Sequence, residues 1–247
     1  MNLQISAPWV GCLALVLSGA LSAQGQGTFE NLNFESADLS GYSPASDVPI
    51  TNALPGWSAY VSTPGVPTPL TVVWYDGISF GGAAVSVVDT NIGVSGFYPL
   101  QGQYSAYLFG GGSYPLASTT ISQTGLVPSG TESLLMDARV SGAAFIVTLG
   151  GQTINMIPLQ VFANYTLYGG DVSSFAGQVA ALSFTVPPAA VAQPSMFELD
   201  NIQFSNQAVP EPGVFGLSVL GVLVLGWRVL GRRRHTARGD PALVFDQ

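Results

Sequence analysis

Apolar positions along most of this chain come in short runs or alternate with polar ones, and turn residues separate them. The runs fall at 56–61, 70–75, 83–88, 103–109, 117–122, 133–140, 145–149, 152–157, 160–167, 179–186 and 196–204. Runs of this length, rich in Val, Ile, Thr and aromatics and bounded by Gly, Pro, Asn or Ser, predict strands. Between the two ends of the chain, no stretch of twelve residues repeats with helical period. Gly150-Gly151 sits between two apolar runs and predicts a tight hairpin turn. In the last run the alternation changes phase: Phe197 and Leu199 share one parity, Ile202 and Phe204 the other. A single extra residue near Asp200-Asn201, a β-bulge, would restore register. Many short strands at this spacing predict an all-β sandwich or barrel.

The pattern changes at both ends. Residues 1–23 hold an apolar run, Val10 to Leu17, followed by small residues from Ser18 to Ala23, the form of a secretory signal peptide cleaved between Ala20 and Gln24. At the other end, Val209-Pro-Glu-Pro212 precedes an apolar stretch from Gly213 to Leu230, interrupted by Arg228, and then Arg232-Arg233-Arg234. As a helix, that stretch would span about 27 Å, close to the roughly 30 Å hydrocarbon core. The Arg cluster would place the C-terminal side in the cytoplasm and the preceding domain outside. The resulting division is signal peptide 1–23, exported β-sandwich domain 24–208, tail signal 209–234 and cytoplasmic extension 235–247.

Charge sharpens this picture. Charged residues make up only 8% of the chain, and there is no Lys. Five of the six Arg lie in the tail, so the exported part carries eleven acids against the single base Arg139, a formal charge of −10. Such a surface repels nucleic acid, which is held by Lys and Arg on phosphates. Cys12 lies in the leader and His235 in the tail. The exported part therefore has no disulfide, no thiolate or imidazole for a metal, and no imidazole base, thiol nucleophile or Schiff-base lysine. A paired-carboxylate glycosidase remains as the enzyme alternative.

The tail's order of parts resembles the PEP-CTERM sorting signal of Gram-negative, biofilm-forming bacteria. The matching residues are Pro210, Glu211 and Pro212, the apolar span, and Arg232, Arg233 and Arg234. That resemblance implies processing by exosortase, a membrane transpeptidase-like enzyme, and delivery to the cell surface or medium. The extension His235 to Gln247 departs from it, since the family usually ends soon after the Arg cluster. A plain single-pass anchor is the alternative. Within the domain, Asn31-Leu-Asn-Phe-Glu35, Leu54-Pro-Gly-Trp57, Ile121 to Val127 and the close Phe197-Glu-Leu-Asp-Asn-Ile202 resemble galactose-binding-like jelly rolls of many carbohydrate-binding modules. The resemblance implies a jelly-roll β-sandwich whose first and last strands pair.

Two candidate sites follow. If the terminal strands pair, Asn33 and Glu35 meet Glu198 and Asp200, an oxygen-rich set suited to Ca²⁺. Trp57, Trp74 and Tyr75, with Tyr104 and Tyr107, are the aromatics available to stack on sugar rings. Trp74 and Tyr75 are adjacent and face opposite sides of one strand. Arg139 is expected to pair with Asp137 on the same strand face, and Asn164-Tyr-Thr166 matches a glycosylation sequon. The combined expectation is a non-catalytic exported protein of the cell surface or extracellular matrix, associating with exopolysaccharide. A carbohydrate-binding module for a defined glycan is the first alternative and a glycoside hydrolase the second.

Overall fold

The alternating runs fold as strands because each buries one parity of its side chains against a second layer. A computed structural model describes residues 28–63, 66–77, 82–90, 98–111, 116–142, 145–188 and 195–209. The segment expected to be a signal peptide and the tail, with Pro210, Glu211, Pro212 and Arg232 to Arg234, lie outside the described residues. No helix among the described residues is long and apolar enough to cross a membrane.

In chain order the elements are β1 (Ser46–Pro49), a single helical turn α1 (Ile50–Ala53), β2 (Ser58–Thr63), β3 (Val66–Leu70), β4 (Val72–Tyr75), β5 (Ala84–Asp89) and β6 (Tyr104–Gly110). Then come β7 (Ser118–Leu126), β8 (Ser133–Ser141), β9 (Ile146–Leu149), β10 (Gln152–Ile154), β11 (Ile157–Val161), β12 (Thr166–Asp171), β13 (Val179–Val186) and β14 (Ser195–Ser205). They build a jelly-roll β-sandwich. An eight-stranded sheet, β1-β4-β5-β6-β14-β8-β12-β11, faces a six-stranded sheet, β10-β9-β13-β7-β2-β3. The chain crosses between the sheets after β1, β3, β6, β7, β8, β10, β12 and β13. Most strands therefore lie beside partners distant in sequence.

The last strand is central. β14 lies between β6 and β8 and is antiparallel to both. Its register shifts between Asp200 and Gln203, and Asn201 has φ +47°, so the expected bulge is present. The hairpin at Gly150-Gly151 is present as well: Leu149 pairs with Gln152, and both glycines have positive φ. Phe197, Leu199, Ile202 and Phe204 all enter the core. A run of rings crosses the interior from Phe34 to Trp57, Phe184 and Phe197, with centroids 5.7, 6.0 and 6.4 Å apart in turn. It continues to Phe145, stacked on Phe197 at 4.6 Å. With no disulfide available, this aromatic packing carries much of the cohesion.

Four expectations are corrected. The opening segment Asn31–Glu35 forms turns and not a first strand, because Asn31 and Phe34 adopt positive φ. It still meets the last strand: Ile202 N–H donates to the Leu32 carbonyl at 2.9 Å, and Phe29 packs on Phe204 with centroids 5.0 Å apart. Asn31 tolerates the left-handed conformation because its side chain ties the turn, accepting from Ser36 N–H and donating to the Pro55 carbonyl. The run 70–75 breaks at Thr71, where the chain changes sheets. The run 152–157 also divides, because β10 and β11 belong to opposite sheets. The run 160–167 divides into β11 and β12 around a turn closed by Phe162 N–H donating to the Tyr165 carbonyl at 2.8 Å. β1 and β3, which no apolar run announced, are proline-bearing edge strands, where a missing N–H does not interrupt a ladder.

Candidate functional site: a polar cleft on the outer face of the larger sheet

β8 and β14 alternate in step. Leu134, Met136 and Ala138 with Phe197 and Leu199 face the core, so Asp137, Arg139, Glu198 and Asp200 face outward. These outward carboxylates are nevertheless buried: Asp137 is 2% exposed, Asp200 1% and Glu198 0%. Segment 98–103 lies across them. Leu100 N–H donates to Ser105 Oγ at 2.8 Å, and Gln101 N–H donates to Asp200 Oδ2 at 3.0 Å. Ser105 Oγ–H itself donates to Asp200 Oδ2 at 2.8 Å.

Asp137 and Asp200 are directly opposite on neighbouring strands. Two like charges in that position would repel. Two amide residues knit them together. Gln101 donates its backbone N–H to Asp200 and its side-chain Nε2 to Asp137 Oδ2 at 2.8 Å. Asn201 donates its backbone N–H to Asp200 Oδ1 at 2.6 Å and its side-chain Nδ2 to Asp137 Oδ2 at 3.1 Å. The bulge gives Asn201 the position from which both bonds are made, so a backbone irregularity directly serves the site. Glu35 anchors the other end of the covering segment, its Oε1 accepting from Gln103 and Tyr104 N–H at 2.8 and 3.2 Å. Gly102 lies between, with φ +57°, and a Cβ there would fall 2.0 Å from Glu35 Oε1.

Burial shifts these acids. Burial pushes Asp200 up to about 7 against the bonds from Ser105, Gln101 and Asn201, which favour the ionised form. Burial likewise raises Asp137, opposed by Asn201 and Gln101. Burial lifts Glu198 to about 8 although Arg139 opposes it. The sandwich holds a further buried acid, Asp76, pushed up to about 7 chiefly by burial and then by the neighbouring charge of Asp89.

Beside this row, a cleft of about 260 Å³ opens over β8, β12, β11 and the bulge. Leu135 and Leu167 form its floor, and the stacked rings of Phe162 and Tyr165 stand in its wall with centroids 4.7 Å apart. Its polar lining comes from Asp137, Gln101, Gln160, Asn201 and Gln203. Tyr165 Oη accepts from Gln101 Nε2 at 3.0 Å, and Gln203 Nε2 donates to Asn201 Oδ1 at 2.7 Å. Apolar ring faces beside a connected set of amides match a ligand with apolar patches and many hydroxyl groups.

The expected site residues are distributed differently. Trp57 is a core residue, 5% exposed, with its Nε1–H donating to the Asn31 carbonyl, so no ligand can stack on it. Tyr75 is buried and donates its hydroxyl to Asp89 at 2.7 Å, and Tyr107 is buried on the outer face. Tyr104 packs partly buried against the core. Trp74 is exposed on the outer face of β4. Five strand spacings separate β4 from β12, about 24 Å at ~4.8 Å each, so Trp74 lies away from the cleft. Asn33, Glu35, Glu198 and Asp200 are not gathered into one ligand set. Asn33 accepts from Glu35 N–H, Glu35 holds segment 98–103, Glu198 faces Arg139, and Asp200 is taken by its three donors. No group of three acids among the described residues is placed to hold a metal ion. Arg139 pairs with Glu198 across the strands and not with Asp137 along its own. The cleft residues Phe162, Tyr165, Gln101, Gln160, Asn201 and Gln203 were not singled out in sequence. Asn164, a turn former between Phe162 and Tyr165, was the one available signal.

No family model matches this chain, and no curated protein matches it. Among solved structures, a Stig cyclase from Fischerella sp. TAU in complex with an indole compound is similar at 16% identity and TM-score 0.45, covering 72% of this chain and 94% of that one. The carbohydrate-binding module TmCBM61 in complex with β-1,4-galactotriose is similar at 14% identity and TM-score 0.41, covering 72% and 96%. The family 11 carbohydrate-binding module of Clostridium thermocellum, in complex with a β-1,3-1,4-mixed-linked tetrasaccharide, is similar at 12% identity and TM-score 0.32, covering 68% and 100%.

Proposed function

We propose that this chain is an exported, non-catalytic carbohydrate-binding protein of the cell surface or extracellular matrix. The cleft over β8, β12 and β11 is its glycan site. The observation that carries this reading is the stacked Phe162–Tyr165 pair beside the amides of Gln101, Gln160, Asn201 and Gln203. Sugar rings present C–H faces to aromatic rings and hydroxyls that both donate and accept, as carboxamides do. The single carboxylate of the cleft supports binding over hydrolysis. Glycosidases use two carboxyl groups about 5–9.5 Å apart across the bond. Here Glu198 is engaged by Arg139 and Asp200 by its own donors, which leaves only Asp137 facing the cleft among the described residues. Residues 24–208 are to be run in affinity gels containing soluble polysaccharides. Retardation is expected from at least one, and Phe162→Ala together with Tyr165→Ala abolishes it. Turnover of chromogenic glycosides by the wild type would replace this reading with an enzyme.

Export and sorting belong to the same proposal and rest on the ordered Pro210-Glu211-Pro212, apolar and Arg232–Arg234 parts of the tail. The expected mature protein lacks everything from about Gly213 onward. Intact mass measured on protein from cells and from medium checks this, and a mature form that retains Arg234 would mean a permanent anchor.

A further inference from the structure

We propose that the cleft selects against acidic sugars, so that its ligand is a glycan free of uronate and sulfate groups, and that Asp137 is the residue that sets this preference. The inference rests on the glycan reading of the cleft and adds the charge class of the ligand. Nothing in the cleft lining is basic. The nearest base along β8, Arg139, is engaged by Glu198. Asp137 is almost wholly enclosed, yet its two amide donors, Gln101 and Asn201, both go to Oδ2. Among the described residues no donor reaches Oδ1. Asp137 lines the cleft, and Oδ1 is the acceptor it has left to offer a ligand there.

A neutral sugar satisfies that oxygen well. A hydroxyl donates to a carboxylate in a charge-assisted bond, and the surrounding amides supply the remaining donors and acceptors. A uronate brings a second carboxylate toward the first with no cation to neutralise either. In a partly buried site such repulsion is little screened by salt. The long-range repulsion from the −10 charge of the domain is different, because salt removes it beyond about 8 Å at physiological strength. The two contributions can thus be separated.

The test uses an array of neutral hexose oligosaccharides and their counterparts of the same linkage oxidised to the carboxylate at C6. It is read at mildly alkaline pH, in low and in high salt. The expected result is a preference of at least tenfold for the neutral member of the best-bound pair, retained in high salt. Asp137→Asn, which keeps an acceptor for Gln101 and Asn201, narrows that preference to about threefold or less. Its fold is checked by an unchanged cooperative melt. Equal binding of both members by the wild type overturns the charge rule and leaves the glycan site standing. So does a preference that vanishes in high salt, or one that Asp137→Asn leaves intact. Absence of binding to every sugar overturns the glycan site and the charge rule together. If Asp137→Asn does not fold, Asp137→Ser is measured in its place and the same outcomes decide.

Discussion

The two faces of strand β14 present the same backbone to two different environments. On the inner face, Phe197 and Leu199 are fully buried among rings and aliphatic chains. On the outer face, Glu198 and Asp200 are as deeply buried but meet an ion pair and a set of hydrogen bonds. The comparison teaches that burial alone does not define a core. The inner face gains free energy by leaving water. The outer face loses solvation and regains part of it only through donors aimed at it, and Glu198 Oε1 has none among the described residues. The inner face therefore holds the fold together at any pH, whereas the outer face holds a site whose cost depends on protonation.

The comparison is broken most severely from the inside. Phe197→Ala is expected to cost about 3–5 kcal/mol, since it removes a ring that contacts both Phe145 and Phe184. Against a total of about 5–15 kcal/mol, denaturant midpoints will show a marginal domain. Because β14 lies in the middle of its sheet, deleting residues 195–205 is expected to abolish cooperative melting altogether. A shortened chain that still melts cooperatively would refute the central placement.

A change of pH should act on the outer face next. Folding raises Asp76 and Asp200 to about 7 and Glu198 to about 8, so the folded state holds protons that the unfolded chain releases nearer 4. The stability this contributes is fully present below about 4 and is lost as pH rises through 7 to 8. The melting temperature should accordingly be higher at pH 5 than at pH 9. Asp200→Asn should flatten the dependence, whereas Phe197→Ala should lower the whole curve without changing its slope. A melting temperature that rises with pH over this interval would contradict the assignment.

Removing one partner of the ion pair isolates a single outer-face contact. Arg139→Met leaves Glu198 buried without its donor and is expected to cost about 1–3 kcal/mol above about pH 8, where Glu198 is ionised. The loss should shrink as pH falls below that value and Glu198 becomes neutral. Adding Glu198→Met should restore part of the stability, because two apolar residues leave no charge stranded. A double-mutant cycle in urea measures the coupling.

The smallest effect on stability is expected at the cleft wall. Phe162 is exposed and Tyr165 half-buried, so Phe162→Ala and Tyr165→Ala should each shift stability by no more than about 0.5 kcal/mol. The same changes should weaken glycan retardation in affinity gels by tenfold or more. That separates a residue kept for binding from one kept for folding.

Much of the architecture was legible. The change of phase between Leu199 and Ile202 located the bulge, because side chains on a strand must alternate and both parities were apolar. Gly150-Gly151 located a hairpin because few other residues adopt positive φ twice in succession. The cleft was not legible in the same way. Its aromatics lie inside the run 160–167, which carries no Gly or Pro and reads as one strand. Its amides come from positions 101, 160, 201 and 203, on segments whose proximity is created by strand order. Trp57 illustrates the reverse error: by sequence it counts among the aromatics available to stack on sugar rings, yet the turn at Asn31 offers its carbonyl and draws the indole inside.

The sequence by itself determined the strand periodicity, the polarity of each strand face, the acidic charge with its lone base, and the absence of thiol and imidazole chemistry between the two ends. These are local or additive properties, readable wherever a residue stands. Only the tertiary structure decided which sheet each strand joined, that Glu198 and not Asp137 would hold Arg139, and that Gln101 would reach ninety-nine positions along the chain to Asp200. Those contacts depend on the crossings between the sheets. A crossing is chosen by the summed burial of all the strands at once and not by any residue near it.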